Sequence, residues 1–438
     1  MCGLWPFVVG AGAPMVGVPI GRHLGTGATV CCDPVSWFNR ARLISNPSIF
    51  VMGLPGRGKS SLVKRMVTGL AGYGVNPIVA GDLKPDYVNV VRALGGQVIR
   101  LGRGRGHLNV MDPGEAREAA KQLRDAGHTK AAQELEAESH GRRLTMVSAL
   151  IELVRHAPIT DREETILDQA LRFIDAHNPD VPVLADVLAV IRSAPESVRA
   201  VALDRGDTAR YQTITEHLEA SLIALTGKGR LGEMFAHPTD EPMHLDRPVA
   251  FDISGIDESD RELSAAALMA CWSTAFASVA VAGALADAGI GQRRHYFVVM
   301  DEMWRALRAS SGMVDRVDAL TRLNRTIGVG LAMITHTMND LEALPNSEDR
   351  AKARGFVERA GLVACAGLPQ SEIPLLRSIM SLSAAEADTL TSWGAPPAWN
   401  QAGANTTPPG VGQFLIKVQG RPGIPVHVDL TVDEARRV

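Results

Sequence analysis

Two short stretches carry residue types whose spacing suits phosphate chemistry. In Gly53-Leu54-Pro55-Gly56-Arg57-Gly58-Lys59-Ser60, the glycines, the lysine and the hydroxyl follow the pattern G-x-x-x-x-G-K-S. Glycines let the main chain wrap closely enough for its N–H groups to face phosphate oxygens, and a helix starting there adds its positive end. On this reading Gly53, Pro55, Gly56, Arg57, Gly58, Lys59, Ser60 and Ser61 form a nucleotide-binding cradle. Lys59 would neutralise the β and γ phosphates and Ser60 would ligate Mg²⁺, so the expected cofactors are ATP and Mg²⁺. The second stretch, "YFVVMDEMW", ends an apolar run in Asp301-Glu302. Asp301 at a strand tip suits holding Mg²⁺, directly or through water, and Glu302 suits orienting and deprotonating an attacking water. An acidic pair also suits the positive start of a following helix. Beside a phosphate loop, the adjacent Asp and Glu fit ATP hydrolysis better than a binding-only switch.

Two further features bear on sensing. Thr335-His336 ends the apolar run "GVGLAMITH", where the pair could contact the γ-phosphate or the lytic water, or simply complete a strand terminus. Just upstream, "LTRLNRTIG" carries Arg322 and Arg325. An arginine that reaches a neighbouring subunit's γ-phosphate stabilises transition-state charge, although helix-surface arginines are common. The catalytic set expected from the sequence is Lys59, Glu302, Thr335, His336 and Arg325.

The surrounding chain must position these groups. From Ser48 to Gly102, strand-like runs ("SIFVMG", "NPIVAGD", "QVIRLG") alternate with helix patterns, which predicts an α/β fold with a mostly parallel sheet of RecA-like P-loop type. From about Pro113 to Thr226 the pattern turns polar and helical, and "ITDREETILDQALRFIDAH" carries a capping-box spacing. Strand signals return at "PVAFDISG", "HYFVVMDE", "GVGLAMITH" and "GLVACAGLP", and "GVGQFLIKVQGRPGIPVHVDLT" reads as a closing hairpin turning at Gly420 to Gly423. The expected division is residues 1–45, β-rich; 46–112, first part of the core; 113–227, an all-helical insertion; and 228–438, second part of the core with the C-terminal hairpin.

Composition sets outer bounds. The 438 residues are 46% hydrophobic and 21% charged, with a net charge of −3, which gives no global electrostatic footprint for nucleic acid. The five cysteines show no zinc-like spacing and read as reduced, structural thiols. Leu263 to Ala286 is uncharged and long enough to cross a bilayer. A span there would separate the phosphate loop from Asp301-Glu302, so a buried helix covering the sheet is expected. His128, His140, His156 and His217 read as surface residues of the insertion, and Arg100, Arg103 and Arg105 as a solvated loop.

Taken in order, the motifs resemble one family. "DLKPDYVNVVRALGGQVIRLG", "GRLGEMFAHPTDEPMHLDRPVAFDISGID", "MDEMWRAL" and "GLAMITHTMNDL" are similar to successive segments of conjugative-transfer and type IV secretion ATPases of the VirB-four and TraC kind, within the HerA–FtsK superfamily. The resemblance runs from about Gly17 to the end of the chain. It implies the roles given above for Lys59, Ser60, Asp301, Glu302 and Thr335, and it places Arg325 at the family's arginine before the sensor strand. It further implies a homo-hexamer at the inner face of the cell membrane, partnered by secretion or conjugation channel proteins. Three departures stand out. His336 replaces the family's usual Gln, Asp86 stands at an acidic position normally held by Glu, and the chain starts only about 50 residues before the phosphate loop. Docking by another chain, or a fragment, is the expectation that follows from the last. The function expected is an ATP-driven motor for conjugative DNA transfer or secretion. The alternatives are a DNA translocase or coupling protein, which the missing anchor and acidic balance disfavour, and a nucleotide-gated scaffold, which the intact Asp-Glu pair disfavours.

Overall fold

The computed structural model describes residues 15–227, 229, 231–309, 313–321, 329–344, 346–397, 408–418 and 420–435. Its strands are β1 (Pro19–His23), β2 (Thr29–Cys31), β3 (Ser48–Met52), β4 (Val75–Asp82), β5 (Gln97–Arg100), β6 (Val249–Asp252), β7 (His295–Met300), β8 (Gly330–Ile334), β9 (Leu362–Cys365), β10 (Gln413–Lys417) and β11 (Ile424–Val428). They form one sheet of 11 strands in the order β2-β1-β11-β10-β9-β3-β8-β7-β4-β6-β5. From β9 to β5 the neighbours are parallel, while β10, β11, β1 and β2 extend the sheet by antiparallel pairing.

Each central strand is apolar on both faces because helices cover both sides. In β3, Ile49 and Val51 point into one core and Phe50 and Met52 into the other, and all four are fully buried. The helix Lys59–Gly72 supplies Leu62, Val63, Met66, Val67 and Leu70 to the first core. The second core is larger and joins the sheet to the long helix Arg261–Asp287 and to the helices of the insertion. That long helix has a mean hydropathy of 1.7 over its apolar window, enough by length and composition for a membrane span, and 78% of the window is buried. Its alanine-rich face sits so close to β4 that a Cβ on Gly81, at φ +103°, would lie 2.7 Å from Leu268 Cδ2.

Between β5 and β6 the chain is helical, with the longest members Thr129–Arg155, Asp161–His177 and Thr208–Thr226. Thr160 caps Asp161–His177 as the spacing predicted. Its hydroxyl accepts from the Glu163 N–H at 3.3 Å, and the Glu163 carboxylate accepts from the Thr160 N–H at 3.0 Å. One expectation for this region fails. His140 is largely buried, its Nε2 2.7 Å from Asp168 and its Nδ1 3.5 Å from Asp175, because both carboxylates project from the facing helix. Arg105 is likewise no free loop cation, since it reaches Asp252 at the end of β6 at 3.3 Å. The N-terminal strands, read from sequence without a partner, join the C-terminal hairpin, with Gly21 of β1 opposite Val428 of β11.

Candidate nucleotide site

Parallel neighbours end at the same sheet edge, and a crevice outside those ends is where open α/β sheets bind ligands. Here β8 lies between β3 and β7. The phosphate loop after β3, the Thr335-His336 pair after β8 and the Asp301-Glu302 pair after β7 therefore converge. They line one cavity of about 380 Å³, together with Lys64, Asp82, Lys84, Asp86 and Val411.

The loop has the geometry its glycines permit. Gly53 sits at φ +158°, and a Cβ there would lie 2.5 Å from the Ala366 Cβ. Gly58 caps the helix Lys59–Gly72 in the left-handed region, at φ 92°, and offers no side-chain hydrogen bond to the first turn. The opening N–H groups of that helix, at Lys59, Ser60 and Ser61, are therefore left for an anion. Pro55, Gly56, Gly58, Lys59, Ser60 and Ser61 all line the cavity. Arg57 does not. Its buried guanidinium donates to the carbonyls of Pro409 at 2.6 Å, Gly394 at 3.1 Å and Ala395 at 2.8 Å, so only its main chain faces the loop. Main-chain bonds fix the loop to its neighbours, from Gly53 N–H to the His336 carbonyl at 2.8 Å and from Leu54 N–H to the Gly367 carbonyl at 3.0 Å.

Lys59 Nζ donates to the Gly53 carbonyl at 2.7 Å and lies 3.1 Å from His336 Nδ1. Burial lowers its pKa, against the raising influence of Asp301 and Glu302. Asp301 accepts from Tyr87 Oη at 3.0 Å and from the Glu302 N–H at 2.8 Å. Burial, reinforced by the Glu302 charge, pushes its carboxyl up to about 6. Glu302 lies in the left-handed region at φ 53°, a strained conformation of the kind that clusters at functional sites. Its Oε2 accepts from Trp304 Nε1 at 2.5 Å and lies 3.5 Å from His336 Nε2, while Lys84 Nζ is 3.7 Å from Oε1. Burial opposes its charge, but His336, Trp304 and Lys84 together outweigh it and hold the carboxylate at about 2. Thr335 is buried on the cavity wall, and among the described residues its Oγ1 has no partner.

This donor set fits a Mg-nucleotide: an uncapped helix start, a buried ammonium, an orphan hydroxyl among the described residues, and a carboxylate sharing one cavity with Ser60. Arg322 and Arg325, the predicted trans-acting arginines, lie outside the described residues.

Three positioning side chains escaped the sequence reading. Asp82, at the end of β4, accepts from the N–H groups of Asp86 (3.0 Å), Tyr87 (2.8 Å) and Val88 (3.2 Å), starting the helix Val88–Ala93 and aiming Tyr87 at Asp301. Burial pushes the Asp82 carboxyl up to about 7. Trp304 does for Glu302 what Tyr87 does for Asp301. The segments "DLKPDY" and "DEMW" contain all three, but nothing in their spacing says which carboxylate each one holds.

Fold and cavity together define a P-loop architecture in which β8 lies between the phosphate-loop strand and the acidic strand. Among solved structures, the chain superposes on VirB4 of Thermoanaerobacter pseudethanolicus with a TM-score of 0.68 at 16% identity, covering 97% of this chain and 98% of that one. It also superposes on the plasmid coupling protein TrwB, solved with ADP and Mg²⁺, with a TM-score of 0.52 at 10% identity, covering 88% and 86% of the two chains. TrwB bound to the ATP analogue ADPNP gives 0.51 at 11% identity over 89% and 87%. No family model matches the chain, and no curated protein matches it in sequence. The fold is thus the one that VirB4 and TrwB share.

Proposed function

We propose that this chain is a Mg-ATP-hydrolysing motor that energises conjugative DNA transfer or type IV-like secretion. The observation that carries the reading is the single cavity in which the uncapped start of Lys59–Gly72, the Asp301-Glu302 pair and Thr335-His336 meet. Mg²⁺, when bound, would supply neutralisation of the phosphate charge. Ser60 and Asp301 would hold it, with Tyr87 donating to the Asp301 carboxylate. The N–H groups of the loop and of the first helical turn receive phosphate oxygens, and Lys59 neutralises their charge. Glu302 accepts the proton of the attacking water, and Thr335 Oγ1 orients that water or the γ-phosphate. The likeness to VirB4 and TrwB supports the setting: a homo-oligomer, expected to be hexameric, at the inner face of the membrane against channel proteins. Arg325 is proposed to complete the neighbouring subunit's site, and residues 113–227 to form an all-helical insertion in the core.

The test is ATP turnover by the purified chain. Lys59→Ala is expected to abolish nucleotide binding, and Glu302→Gln to retain it while slowing turnover about 100-fold or more. Turnover unchanged in both variants rules the motor out. Salt-sensitive DNA binding with DNA-stimulated turnover would instead mark a translocase or coupling protein. A chain that stays monomeric with Mg-ATP in sedimentation would remove the role of Arg325.

A further inference from the structure

His336 touches both halves of the proposed chemistry. Its Nδ1 is 3.1 Å from Lys59 Nζ, and its Nε2 is 3.5 Å from Glu302 Oε2, the outer limit of a hydrogen bond. A lysine ammonium has only donors, so Nδ1 must accept, which puts the ring proton on Nε2, facing Glu302. In that tautomer the ring presents an acceptor toward the phosphate-loop lysine and a donor toward the acidic pair. Its place is fixed at the main chain, where its carbonyl accepts from Gly53 N–H at 2.8 Å, and at its flank, where the Trp304 ring centroid lies 5.9 Å away.

We infer that His336 is a positioning residue that links the phosphate cradle to Glu302. Its Nδ1 is an acceptor that competes, beside the Gly53 carbonyl, with phosphate for Lys59, and its Nε2–H is a donor that, with Trp304, orients the Glu302 carboxylate. A glutamine carboxamide offers the same acceptor at one end and donor at the other. This accounts for a histidine at the position where the resembling ATPases carry Gln. It also separates two effects. Removing the ring relieves Lys59 of a competing acceptor, which favours nucleotide binding, and leaves Glu302 without one of its orienting partners, which slows the chemistry.

The inference rests on the cavity being an ATP site, and the experiment tells the two apart. Binding of Mg-ADPNP and steady-state ATP turnover are measured for the wild-type chain, His336→Leu and His336→Gln. His336→Ala replaces the leucine variant if the latter does not fold. His336→Leu is expected to bind Mg-ADPNP about tenfold more tightly, one charged hydrogen bond no longer having to be broken. It should turn ATP over at least about tenfold more slowly, part of the loss of a general base. His336→Gln should recover both values. A merely structural role would weaken binding and turnover together. The inference is overturned if the leucine variant binds more weakly, if it turns over at the wild-type rate, or if glutamine is as slow as leucine. If the wild-type chain binds no nucleotide, the ATP-site reading falls, and the linkage with it.

Discussion

Tyr87 and Asp301 stand 214 residues apart, and a single hydrogen bond joins the segment after β4 to the acidic pair. Asp301 is already pushed up to about 6 by burial, so its ability to carry charge depends on the few donors it has. Tyr87→Phe removes one of them without changing packing volume. Turnover is expected to fall about tenfold or more, with the Mg²⁺ concentration for half-maximal rate rising, as is usual when a partner behind a metal ligand is lost. A magnesium titration of ATPase rate reads both. Trp304→Phe makes the parallel test on Glu302. It should lower the maximal rate and leave nucleotide affinity unchanged, because Trp304 donates to the carboxylate alone and does not line the cavity.

At the scale of elements, the C-terminal segment is what braces the phosphate loop. Arg57 holds three carbonyls of the 394–409 region, and its own carbonyl accepts from Gly412 N–H at 3.1 Å. Arg57→Ala removes three side-chain hydrogen bonds that are only partly buried, where water can replace them in part, so a loss of about 1–2 kcal/mol in denaturant unfolding is expected. Glu386 holds the hairpin itself. It accepts from Lys417 Nζ at 2.9 Å, from Gly423 N–H at 2.6 Å and from Ser383 N–H at 2.8 Å. Burial works against its charge, but these donors hold the carboxylate at about 2, below the ordinary 4.5. A depressed folded value means the unfolded chain takes up the proton more readily. The stability Glu386 contributes is therefore complete above about 4.5 and lost as pH falls toward 2. Glu386→Gln should lower the melting temperature at neutral pH, and melts between pH 5 and 2 should show a shallower acid-side decline than wild type.

At the scale of the whole molecule, the helix Arg261–Asp287 is the keystone of the larger core, with Trp272 and Phe276 buried against β-strands and insertion helices. Its hydropathy marks burial in protein on the present structure, since 78% of its apolar window is covered. Ala267→Lys places an unpaired charge at a fully buried position. It is expected to destabilise the fold by about 3 kcal/mol or more, visible in a thermal melt, because Ala267 lies fully buried in the apolar core. A lysine tolerated there without loss of stability would show that this face of the helix is open.

How much of this was legible follows from where each piece of information sits. The phosphate loop was readable because its geometry is local: glycine spacing and a following helix lie within a dozen contiguous residues. The strands were readable for the same reason, as apolar runs ending in turn residues, and so was the Thr160 capping box. The partners of those strands were not. β3, β7 and β8 carry the same apolar pattern, and no periodicity says that β8 lies between the other two, or that β1 closes against β11. Side-chain direction was hidden too. Arg57 sits inside the phosphate-loop motif yet faces the C-terminal carbonyls, and His140 looks like a surface histidine until Asp168 and Asp175 of the facing helix appear beside it. The phosphate-loop motif, the acidic pair and the α/β class could be read without a structure, because each is written in neighbouring residues. Only the tertiary structure decided that Tyr87 holds Asp301, that Trp304 holds Glu302 and that His336 bridges Glu302 to Lys59. Those pairings depend on sheet order, which is settled by packing between segments far apart in the chain.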